Sequence, residues 1–163
     1  MKKNLSLLIV VMLIFTLVGC GKAEPQVPVR DIMNSIEEEV EGISKLSEID
    51  LKSEELEDFN KEVIKAYNIN TDDVAEGIMK FPMINLQADE VIIIKVNDKV
   101  KIAEIEEALK GHIDVQLQAF ENYVPQNYEL VKNHILESNG KYILLTISKD
   151  AEKIQEIFNT ALN

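Results

Sequence analysis

The chain predicts a mixed α+β domain: a four-stranded antiparallel sheet made from two strand-strand-helix units, with the helices on one face and two more helices ahead of it. Three observations carry this. Residues 91–96 and 142–147 are apolar runs suited to central strands. Asn139-Gly140 lies between two strand-like segments, a strong short hairpin signal. Each pair of strands is followed by apolar residues at helical spacing.

Residues 30–41 place Ile32, Met33, Ile36 and Val40 three or four apart, with Asp31, Glu37, Glu38, Glu39 and Glu41 on the other faces. This is an amphipathic helix whose acidic run is solvated. An irregular stretch with Leu46, Ile49 and Leu51 leads to Ser53, a suitable N-cap, with Glu54 and Glu55 favoured by the positive first turn. Leu56, Phe59, Val63 and Tyr67 continue a second helix from there to residue 67. Thr71, Asp72 and Asp73 start a single helical turn.

Residues 78–84 read as a strand, and Pro82 within it cannot donate to a ladder, which sends it to an edge or a bulge. A polar turn over 85–89 joins it to strand 91–96 as an antiparallel hairpin. Ile102, Ile105, Leu109, Ile113, Leu117 and Phe120 make a long helix over 100–122, where Gly111 allows a bend. Pro125 opens a short helical piece over 126–133. Segments 134–138 and 141–147 flank Asn139-Gly140, and Ser148 caps a final helix burying Ile154, Ile157, Phe158 and Ala161.

Ile102 and Ile105 match Ile154 and Ile157 at a spacing of 52 residues, which supports two similar units. The expected strand order is 78–84, 90–96, 141–147, 134–138, a circular permutation of a ferredoxin-like sheet.

The start of the chain has a different composition. Lys2 and Lys3 precede an apolar run over 5–18, with the small Gly19 next and then Cys20. This is the order of a secretory signal. The run has 14 residues, whereas a helix crossing a bilayer needs about 20. Leu17-Val18-Gly19-Cys20 resembles the lipobox of bacterial lipoproteins. That resemblance implies cleavage between Gly19 and Cys20, diacylglyceryl modification of Cys20, and a mature protein anchored at the extracytoplasmic face of the cell membrane. The expected organisation is a signal peptide over 1–19, an anchored tether over 20–29 containing Pro25 and Pro28, and one domain over 30–163. Nine extended residues of tether reach about 28 Å.

Cys20 is the single cysteine, so once acylated it leaves no thiol for a disulfide, a nucleophile or a sulfur-ligated metal. Loss of Lys2 and Lys3 with the leader takes the net charge from −12 to −14. A polyanion of this size disfavours nucleic acid, anionic lipid headgroups and anionic wall polymers as partners.

The stretch Pro82-Met83-Ile84-Asn85 with Ala88-Asp89-Glu90, then Phe120, Tyr123, Pro125, Tyr128 and Glu129, then Gly140-Lys141-Tyr142, resembles a family of Gram-positive lipoproteins known as a domain of unknown function. The resemblance runs from about residue 55 to the C-terminus, with Asn97-Asp98-Lys99 in place of an expected glycine-containing turn. It implies a small extracytoplasmic domain and brings no activity, cofactor or catalytic residue.

The residues themselves supply no catalytic constellation. His112 and His134, the two histidines, lack the spacing that offers two metal ligands from one helix. The clusters Asp72-Asp73-Glu76 and Asp89-Glu90 lack the alternation and glycine of a calcium loop. No Gly-x-Ser-x-Gly pattern occurs, and the one Gly-x-Gly spacing, Gly19 and Gly21 around Cys20, is not part of a phosphate-cradling loop. No metal or cofactor is expected.

Phe120, Tyr123 and Tyr128 surround Pro125 at a helix junction, and the simplest reading is a structural corner in which Phe120 enters the core and Pro125 turns the chain. If there is a recognition surface, it is expected there and in the 85–89 loop, with Tyr123, Pro125, Tyr128, Asn85 and Asp89 as its residues. The leading expectation is a non-catalytic lipoprotein that binds a protein or cell-envelope partner near the membrane. The alternative is a carboxylate-dependent enzyme or enzyme accessory at the cell wall, which gains support if Asp89, Glu90 and His134 converge in one cleft.

Overall fold

A computed structural model describes residues 24–84 and 86–163. Cys20, Gly19 and Asn85 lie outside the described residues. The described chain forms five helices and one antiparallel sheet of five strands.

Helix α1 (Val29–Glu39) is followed by strand β1 (Ser47–Asp50), helix α2 (Asp58–Ala66), strands β2 (Val74–Phe81) and β3 (Glu90–Val96), helices α3 (Ile102–Phe120) and α4 (Pro125–Lys132), strands β4 (Ile135–Asn139) and β5 (Tyr142–Ile147), and helix α5 (Ala151–Ala161). The spatial order is β1-β2-β3-β5-β4. The order expected for the last four strands is therefore found.

Two expectations are corrected. The sheet has a fifth strand, β1, which pairs antiparallel with the end of β2 through Ile49 opposite Met79. Only Ile49 of its four residues is buried, which leaves no alternation in the sequence to detect. The helices also cover both faces of the sheet. On one face Ile78, Val91, Ile93, Tyr142 and Leu144 meet Ile32, Met33 and Ile36 of α1 and Ile154 and Phe158 of α5. On the other, Met79, Ile92, Ile94, Ile143 and Leu145 meet Ile64 of α2 and Ile105, Leu109 and Ile113 of α3. Successive strand residues point to opposite faces, so a strand such as β3, whose residues Val91 to Ile94 are all apolar, needs a layer on each side.

Element boundaries moved where local chemistry outweighed periodicity. Strand β2 starts four residues earlier than expected and stops at Phe81, because Pro82 has no N–H to continue the ladder. Helix α2 begins at Asp58 with Glu57 in the N-cap position, not at Ser53, and Phe59 stays half exposed. Ser148 does not cap α5 directly: Asp150 holds the N-cap position, and the Ser148 hydroxyl accepts from the Asp150 N–H at 3.1 Å. Helix α3 runs unbroken past Gly111.

The hairpin signal sits where expected, although Asn139 pairs with Tyr142 and the two turn residues are Gly140 and Lys141. Gly140 supplies the positive φ of 64°, which a residue with a Cβ adopts only under strain. Where Leu51 crosses β2 its N–H donates to the Gly77 carbonyl at 2.9 Å. A Cβ on Gly77 would lie 2.6 Å from Leu51 Cδ1, so glycine permits this approach.

Candidate functional site

The two ends of the sheet differ in what they expose. At one end, where β2 passes to β3, Phe81 and Ala88 are buried and fix the feet of the connecting loop. Between them Met83, Ile84 and Leu86 are 63%, 58% and 52% exposed. The Gln87 N–H donates to the Ile84 carbonyl at 3.1 Å, closing a turn within the loop. Asn127, buried near the start of α4, donates from Nδ2 to the Leu86 carbonyl at 2.7 Å. That bond joins the loop to the α3–α4 junction, so the two places singled out in the sequence form one end of the molecule.

Within the junction Phe120 enters the core, and Pro125 occupies the first turn of α4, where its missing N–H costs nothing. Tyr128 packs partly buried against the core, whereas Tyr123 is 70% exposed. The structural-corner reading therefore holds for Phe120 and Pro125. Asp89 lies apart from the apolar tip, lining a 260 Å³ recess with Gln87, Lys45, Ser148 and Lys149.

Asp89, Glu90 and His134 do not share that recess, because neither Glu90 nor His134 lines it. His134 donates from Nδ1 to the Val131 carbonyl at 2.7 Å. Glu90 turns into the core, where His112 of α3 donates from Nε2 to its Oε2 at 3.0 Å. The Tyr67 ring stacks on the His112 imidazole with centroids 3.9 Å apart. Burial, followed by the charge of Glu90, pushes the Tyr67 phenol far above its ordinary pKa and keeps it neutral. Sequence reading passed over this trio, although Glu90 is in phase with inward-facing Ile92 and Ile94, and His112 is next to Ile113 on the buried stripe of α3. With both side chains so enclosed, the pair fastens α3 to the sheet. Among the described residues no group of three His, Cys, Asp or Glu could hold a metal ion.

A second ionic cluster ties α1 to the sheet edge. Arg30 makes a two-pronged contact with Glu48, at 2.6 and 2.9 Å. Lys80, almost fully buried, contacts Glu48 at 2.9 Å and also Glu37. The Arg30 hydrogen bonds, with Lys80 behind them, hold the Glu48 carboxyl at a pKa of about 2 against burial, which acts to raise it. Burial lowers the pKa of the Lys80 ammonium, but Glu37 and Glu48 outweigh it and leave it raised.

The opposite end of the sheet carries the start of the described chain. Residues 24–28 form neither helix nor strand, and they lie against the domain. The Tyr142 hydroxyl donates to the Val27 carbonyl at 2.7 Å, and Glu24 pairs with Lys99 at 2.6 Å.

Together these features define a small two-faced α+β domain with one apolar, loop-built end. The chain belongs to the family described as Domain of unknown function (DUF4358), whose model matches residues 47–148. The match takes in all five strands and helices α2 to α4, and leaves α1 and α5 outside it. No curated protein and no solved structure matches the chain. Among the described residues no helix is long and apolar enough to cross a membrane.

Proposed function

We propose that the chain is the precursor of a bacterial lipoprotein, cut before Cys20 and held by lipid on that residue at the extracytoplasmic face of the membrane. Its domain is a non-catalytic module that binds a protein of the cell envelope through the end carrying Met83, Ile84, Leu86 and Tyr123. The observation that carries the binding reading is the exposure of three large apolar side chains in one short loop whose two feet are buried.

Leaving such a side chain in water instead of burying it forgoes about 1.5–3 kcal/mol each. Contiguous apolar exposure marks an interaction surface. Because Phe81, Ala88 and the Asn127 bond already hold the loop, binding loses little conformational entropy. Glu121 and Glu129 stand exposed near Tyr123, so the fitting partner offers an apolar socket with a basic rim.

The test is a cross-linked pull-down of the lipidated protein from its own membranes, beside a Met83→Ser, Leu86→Ser, Tyr123→Ala variant. All three positions are exposed, so the variant is expected to melt with the wild type. A stoichiometric partner lost in the variant supports the module; absence of a partner in both sinks it. The anchor is tested separately, since Cys20→Ala is expected to abolish lipid labelling and membrane retention.

A further inference from the structure

We infer that the anchored domain stands upright on the end formed by the β3–α3 and β4–β5 turns, with Val100 at the headgroups and the Met83–Leu86 loop pointing away from the bilayer. This rests on the lipoprotein reading and adds to it an orientation and a membrane-facing surface.

The strap at the start of the described chain sets the geometry. The Tyr142 hydroxyl donates to the Val27 and Pro25 carbonyls at 2.7 and 3.3 Å. The Val29 N–H donates to Glu76 Oε2 at 2.8 Å. Glu24 reaches Lys99 at 2.6 Å and Lys141 at 4.0 Å. The Lys99 hydrogen bond holds the Glu24 carboxyl below its ordinary pKa. Pro25 lies 4.0 Å from where a Cβ on Gly140 would be. Lys141 in turn donates to the Asn97 carbonyl at 3.0 Å, binding the two turns together.

The chain therefore leaves the domain at this end, and only Gly21, Lys22 and Ala23 separate the strapped Glu24 from Cys20. Four Cα steps span at most about 14 Å. Strand β3 carries the chain from this end to the apolar loop, and its seven residues cover about 20 Å at 3.3 Å per step. The leash is thus too short for the domain to turn over and present the loop to the lipid.

The end itself suits an interface. Val100, flanked by Lys99 and Lys101, is 75% exposed. An apolar side chain between two long cationic ones fits the headgroup boundary, where the stems lie along apolar surface and the ammonium groups reach water or phosphate. Lys101 also contacts Asp73 and Glu104, so this end mixes cationic and acidic side chains.

The chain contains no tryptophan, so a single introduced one reports its own depth. The lipidated protein carrying either Val100→Trp or Met83→Trp is reconstituted into phosphatidylcholine vesicles containing headgroup-spin-labelled lipid, and fluorescence quenching is measured. Quenching several-fold stronger at 100 than at 83 is the expected result. Equal quenching, from a domain lying on its side, or the reverse order overturns the orientation. A long glycine-serine insert between Ala23 and Glu24 should erase the contrast; an undiminished contrast shows that the short leash is not its cause and also overturns the inference. Vesicle flotation is read on every sample, so failure to attach counts against the lipoprotein reading, whereas attachment with the wrong quenching order counts against the orientation alone.

Discussion

Glu90 and His112 place two ionisable side chains in a largely apolar layer and hydrogen-bond at 3.0 Å through Glu90 Oε2, while Glu90 Oε1 is buried without a partner. Removing one partner leaves the other without compensation in the core. His112→Ala is expected to destabilise the domain by about 3 kcal/mol, read as a lowered urea midpoint. A loss within about 0.5 kcal/mol, the level of an ordinary surface change, would mean that Glu90 regains water.

Glu48 behaves differently because it is partly solvated. Its pKa falls from 4.5 unfolded to about 2 folded, through Arg30 first and Lys80 second. A carboxyl with a depressed folded pKa contributes stability that is complete above the unfolded value and lost as pH falls toward the folded one. With solvent screening the contribution is on the order of 1 kcal/mol. The stability gap between wild type and Glu48→Gln should therefore be full near neutrality and narrow between pH 4.5 and pH 2. Chemical denaturation across that range checks it, and a gap that stays constant counts against the assignment. Both clusters join residues far apart in sequence, which is why spacing alone did not find them, even though Glu90 is in the inward phase of its strand.

At the scale of elements, the connection between β2 and β3 combines a rigid frame with an exposed tip. Asn127 provides the cross-link, since it is buried and its amide reaches the Leu86 carbonyl at 2.7 Å. Asn127→Ala is expected to cost about 1–2 kcal/mol and to speed amide hydrogen exchange at Gln87 and neighbouring residues, with β3 unaffected. Unchanged exchange would show that Phe81 and Ala88 hold the loop without help.

The same scale shows where sequence reading succeeds. Helices α1, α3 and α5 were legible because each repeats a buried apolar stripe over many residues. Strand β1 and the start of α2 were not. A four-residue strand with one inward side chain has no measurable period, and Ser53 is a good cap in isolation that the chain does not use.

The whole molecule has a polarity that no single element contains. One end of the sheet holds the strapped start of the described chain, and the other holds the exposed apolar loop. Loop, junction and strap draw on residues from Glu24 to Tyr142. The family match, which covers every strand, contains the apolar loop and the junction. In the proposed anchored state this polarity turns the apolar loop outward, and the quenching contrast between positions 100 and 83 belongs to this scale.

The sequence by itself determined the α+β class, the order of the four strands from β2 to β5 and the long helices, because local period, turn chemistry and proline are written in neighbouring residues. Its first twenty residues supplied the expectation of an anchor. Tertiary structure alone decided that helices cover both faces, that Glu90 meets His112 instead of His134, and that the loop and the junction form one surface. Those outcomes depend on which distant side chains can exclude water together, and packing free energy acts between surfaces that sequence separation does not encode.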